Sequence, residues 1–102
     1  MIKAYFLRDG DTQQIVVSGH AGYAEPGHDI ICAACSILND TLANMAEDAF
    51  LIQMDKGFAH IYFTGPETAR RKAILDTIQT GYQLLAESYP EYVCIYEYEG
   101  EP

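Results

Sequence analysis

The hydrophobic rhythm of this chain changes four times, and those changes restrict it to one order of elements. From Ile30 the less polar positions return at threes and fours: Ile30, Ala34, Ile37, Leu38, Thr41, Leu42, Met45 and Ala49, while Asn39, Asp40, Asn44, Glu47 and Asp48 fall largely elsewhere. That spacing predicts an amphipathic helix over 30–49, with Asp29 at its N-cap. Pro66 and Glu67 open a second helix over 67–88, which carries Ile74, Ile78, Tyr82 and Leu85 on one side and is stopped by Pro90.

The other segments read as strands. "IKAYFLR" (2–8) and "QQIVVSG" (13–19) flank the turn residues "DGDT", and "FLIQMD" (50–55) and "FAHIYFTG" (58–65) flank "KG". "EYVCIYEYE" (91–99) alternates and closes the chain. The order is ββαββαβ, with no linker or repeat, so residues 1–102 are expected to form a single domain. Two amphipathic helices each need one apolar surface to cover. An α+β two-layer sandwich, with one antiparallel sheet and both helices on one face, supplies it. The uncovered face would then hold many of the eight tyrosines, which makes it the expected interface of a homodimer.

Charge narrows the partners. Fifteen acids against six bases give a net charge of −9, which excludes direct nucleic-acid binding as an expectation, because phosphate contacts need Lys and Arg. The same charge favours basic partners. No apolar run reaches the length of a signal peptide or a membrane span, so the expected compartment is the cytoplasm, with no membrane contact. The three cysteines are expected there as free thiols.

The chemistry is concentrated in "SGHAGYAEPGHDIICAACS" (18–36). His20 follows the second strand and Cys32 falls in the first turn of the first helix, joined by a loop rich in glycine. With Asp29 as N-cap, Cys32 is the third helical residue, near unpaired N–H groups and the positive end of the helix dipole. Both favour a thiolate, and His20 could serve as its imidazolium partner. The same N–H groups could receive a tetrahedral oxyanion. Other readings of these residues remain. Cys32-Ala-Ala-Cys35 has the spacing of a redox CxxC, and Cys32, Cys35, His20 and His28 are four possible zinc ligands, although Cys35 is expected to face the core. A non-catalytic acidic module that binds basic proteins is a third. His60 and Cys94 lie within strands and are expected to pack there.

The stretch "GHAGYAEPGHDIICAACS" resembles the signature of the ribosomal-processing cysteine proteases, the Prp family. Gly19, His20, Ala21, Gly27, Asp29, Ile30, Ile31, Cys32, Ala33, Ala34 and Ser36 match in place, and the length and element order fit as well. The resemblance implies a bacterial homodimeric endopeptidase that removes an N-terminal extension from a large-subunit ribosomal protein precursor. It implies Cys32 as nucleophile and His20 as general acid and base, with Asp29 as a supporting or helix-capping residue. No cofactor and no metal are implied. The loop, with Gly22, Tyr23 and Gly27, would touch substrate. Two departures stand out: Cys35, where the family often carries an aliphatic residue, and Pro26-Gly27-His28, which stiffens the loop.

Overall fold

Turn chemistry sets the first hairpin. Asp9 Oδ1 accepts hydrogen bonds from the N–H groups of Asp11 (2.9 Å) and Thr12 (2.7 Å), so the chain reverses between β1 (Ile2–Arg8) and β2 (Thr12–Ser18). In the computed structural model, which describes residues 1–25 and 28–99, there follow α1 (Ile30–Met45), β3 (Leu51–Asp55), β4 (Phe58–Thr64), α2 (Ala69–Ser88) and β5 (Val93–Glu99). The second helix begins two residues later than the sequence implies, because Thr68 caps it by accepting the Arg71 N–H at 3.1 Å.

The five strands form one sheet in the order β3-β4-β2-β1-β5. Its neighbours are antiparallel except for β1 and β5, which run parallel, so the expected all-antiparallel sheet is instead mixed. The helices are the reason. Each carries the chain back along the sheet before the next strand begins, so β5 starts at the same end as β4 and runs in its direction. Because β1 also runs with β4, β5 can only pair with it in parallel.

Both helices pack on one face. Ile2, Ala4, Phe6, Ile15, Val17, Ala59, Ile61, Phe63 and Val93 from the sheet are buried with Ile31, Cys35 and Leu42 of α1 and Leu75, Ile78 and Tyr82 of α2. The inward stripe of α1 is Ile31, Cys35 and Leu42, with Leu38 half-buried; Ile30, Ile37 and Met45, expected on that face, are exposed. The cap at Asp29 is as expected, and packing against the sheet and α2 covers a stripe one residue on from the expected one. On the uncovered face Tyr5 and Tyr96 stack at 4.8 Å between ring centroids, and by strand alternation Tyr62 and Tyr98 share that face. Tyr82 lies in the core instead, and Tyr23, Tyr89 and Tyr92 gather at one corner. Among the described residues no helix is long and apolar enough to cross a membrane.

One polar group crosses the core. Arg71 of α2, 7% exposed, donates to Gln13 Oε1 (2.9 Å) and the Thr64 carbonyl (3.1 Å), pairs with Asp48 (2.9 Å) and lies 4.8 Å from the Phe63 ring centroid. Gln13 is fully buried and Asp48 is half-exposed, so the two partners do not matter equally. Arg71→Ala strands the Gln13 oxygen and should destabilise the chain by about 2–3 kcal/mol, whereas Asp48→Asn loses a water-screened pair and should cost less than about 1 kcal/mol. Urea unfolding of the two variants beside wild type measures the difference.

Candidate active site

The loop between β2 and α1 is organised by one carboxylate. Asp29, 8% exposed, accepts at Oδ1 from the N–H groups of Ile31 (3.0 Å) and Cys32 (2.9 Å), which caps α1. Its Oδ2 accepts from the N–H groups of Tyr23 (3.0 Å) and Ala24 (3.3 Å). Burial works against the ionised carboxyl, but these backbone donors outweigh it and hold Asp29 below the ordinary aspartate range. The loop therefore turns back onto the start of the helix, as the closeness of His20 and Cys32 requires.

Cys32 is half-buried, and its Sγ accepts a hydrogen bond from the Ala21 N–H at 3.4 Å. This contact corrects one expectation. The helix N–H groups of Ile31 and Cys32 are engaged by Asp29 and are not open to an oxyanion; the N–H directed at the sulfur comes from the residue after His20. Cys35, one turn along α1, is buried, and burial pushes its thiol up to about 11. The Tyr82 hydroxyl donates to the Cys35 carbonyl at 3.3 Å and also bonds Asn39, which ties this turn of α1 to α2.

His20 leaves the sheet at the end of β2 through Gly19, whose φ of +101° and close approach to the Met1 carbonyl leave no room for a side chain. The Gly19 N–H donates to the Gly57 carbonyl at 3.0 Å, in the turn between β3 and β4. His20 and Cys32 line one cavity of about 710 Å³, together with Gly22, Asp29 and Ser36. Among the described residues no hydrogen bond joins the imidazole to the thiol. The same cavity is lined by Met54, Asp55, Gly57 and Phe58. The sequence gives no local sign of these four, because only the pairing of β4 with β2 brings them to His20.

Of the other expected site residues, Tyr23 is on the loop but is not in the cavity wall. Its ring packs edge-on against Tyr92 (5.2 Å) and Tyr89 (6.0 Å). Gly27 lies outside the described residues. His28 is exposed and away from the cavity lining. His60 bonds Gln14 at 2.9 Å on the uncovered sheet face, and Cys94 is half-buried in β5, both as strand residues. No group of three or more potential metal ligands assembles among the described residues.

The family model for the cysteine protease Prp matches residues 1–94 of this chain. The ribosomal processing cysteine protease Prp of Staphylococcus aureus is 27% identical over 89 residues, which span 81% of this chain and 84% of that one. A crystal structure of the S. aureus Prp with a covalently linked product peptide aligns with a TM-score of 0.84 at 26% identity, covering 95% of this chain and 99% of that one. The structure of SMU.848 from Streptococcus mutans aligns with a TM-score of 0.81 at 31% identity, covering 98% and 96%.

The bonding of Asp29 has a pH signature. A carboxyl whose folded pKa is depressed contributes stability that is present above its unfolded pKa and lost as pH falls through the folded one. In Asp29→Asn the amide oxygen can cap the helix, but its NH₂ cannot accept from the loop N–H groups. The Tm of Asp29→Asn should therefore lie below wild type at neutral pH, and the gap should close below about pH 4. Thermal unfolding across pH checks it, and a gap constant down to strongly acidic pH would count against ionised Asp29 as the staple.

Proposed function

The chain belongs to the Prp family of cysteine proteases, and we propose that it removes an N-terminal extension from a large-subunit ribosomal protein precursor, with Cys32 as nucleophile and His20 as general acid and base. The observation that carries this reading is the shared cavity, whose wall includes both His20 and Cys32 and beside which the Ala21 N–H is directed at the Cys32 sulfur. The S. aureus relative is named as a ribosomal processing protease, and a net charge of −9 suits a basic ribosomal precursor. Such a substrate also places the enzyme in the cytoplasm, where ribosomes are built.

The chemistry follows from these groups. His20 takes the thiol proton, and Cys32 Sγ attacks the scissile carbonyl to form a C–S bond. The carbonyl oxygen becomes an oxyanion beside the Ala21 N–H, a donor held in place because Asp29 fixes the loop just beyond it. His20 then returns the proton to the leaving amine as the C–N bond breaks. A water deprotonated by His20 attacks the thioester, releases the carboxylate product and restores the thiol. Cys35 has no place in this cycle: it is buried, and its raised pKa keeps it protonated at neutral pH, which also weighs against a dithiol redox role.

Assembly is part of the same proposal. A second copy of the chain would cover the uncovered sheet face, where the Tyr5–Tyr96 stack lies and where Phe50, 73% exposed, meets Tyr62 edge-on. Sedimentation velocity should give twice the mass of one chain at micromolar concentration; the mass of one chain there would exclude the dimer.

Incubation with the precursor, read by intact mass, tests the catalytic assignment. Wild type and Cys35→Ala should both release the extension. Cys32→Ala should release none, and His20→Ala should slow release by about 10²–10⁴-fold. If Cys35→Ala fails as completely as Cys32→Ala, a dithiol mechanism replaces the hydrolytic one.

A further inference from the structure

Proton transfer requires an imidazole held in place, and the usual device is a carboxylate bonded to the second ring nitrogen. Among the described residues no carboxylate does this: both oxygens of Asp29 accept backbone N–H groups from the loop and the helix, and Asp55, which lines the same cavity, accepts the Lys56 N–H at 2.8 Å. Among the described residues neither nitrogen of His20 has a hydrogen-bond partner. Something else must restrict the ring.

We propose that Gly57, in the turn between β3 and β4, is a positioning residue for the His20 imidazole. Gly57 has φ of +73°, and a Cβ added to it would lie 2.6 Å from His20 Nε2 and 2.7 Å from Cε1. No real Cβ sits that close, so the ring occupies the space where any other residue would put its side chain. The same turn holds the backbone just before the ring, since the Gly57 carbonyl accepts the Gly19 N–H at 3.0 Å. The pairing of Ser18 with Phe58 sets both contacts. The turn thus closes the Nε2–Cε1 side of the ring by contact. The group that would yield to a new Cβ is the flexible end of a side chain rather than backbone. A substitution here therefore displaces His20 before it disturbs the sheet.

This inference rests on His20 as the acid and base, and the test separates the two. Gly57→Ala should lower kcat by about ten- to a hundred-fold with KM little changed, because a displacement of about 1 Å suffices for such losses. It should also move the His20 Cε1–H proton resonance. Gly65→Ala is the control for backbone strain: Gly65 has φ of +83°, and nothing lies within 4 Å of a Cβ there. It should lose Tm but keep kcat and the His20 resonance. Gly57→Asn, which tolerates left-handed backbone better, should recover Tm relative to Gly57→Ala without recovering kcat. The proposal is overturned if the His20 resonance is unmoved in both Gly57 variants, or if Gly65→Ala loses as much kcat as Gly57→Ala. Full activity in His20→Ala would instead sink the catalytic reading, and the resonance would still report whether Gly57 holds the ring.

Discussion

Four backbone N–H groups converge on the carboxylate of Asp29, and the site depends on that convergence. Two of them belong to the first turn of α1, which would otherwise begin with unsatisfied donors. Two belong to the loop from β2, which would otherwise have no reason to return. A single ionised side chain therefore fixes the start of the helix and the path of the loop. Cys32 owes its place in the first turn to that start, and Ala21 owes its contact with the sulfur to that path. Burial of the carboxyl is unfavourable by itself, and the donors it gathers more than offset it.

The second constraint is topological. Each helix carries the chain across the sheet, so strands that follow one another through a helix are not neighbours. As a result β4 lies beside β2, and the turn before β4 meets the residues after β2. The cavity is built from two places far apart in sequence: the stretch from His20 to Cys32 at the start of α1, and a hairpin that supplies Met54, Gly57 and Phe58. The same topology sets β5 parallel to β1 at the far edge of the sheet, where it plays no part in the cavity.

Within α1, two thiols three positions apart have opposite environments. Both border the cavity, but Cys32 is half-buried and accepts an N–H, while Cys35 is buried in the core and has its thiol pushed up to about 11. Helical geometry alone produces the contrast. Positions three apart share a side of the helix, yet at its first turn one lies at the open end and the other under the neighbouring helix. Spacing that looks like a redox pair in the sequence is divided by burial in the fold.

The local elements were legible in the sequence, because period and capping are local properties. The order ββαββαβ, both hairpin turns and the cap at Asp29 all follow from residues within about twenty positions of each other. The inward stripe of α1 was not: Ile30 and Ile37 are as apolar as Ile31, and only packing against the sheet and α2 decides which of them is covered. The parallel pairing of β5 and the core path of Arg71 from α2 to Gln13 and Asp48 were likewise not local. The contact of Gly57 with His20 is the clearest case. A Lys-Gly turn specifies a hairpin by itself, but its place under an imidazole comes from strand order and register, which long-range pairing decides and no local residue pattern records.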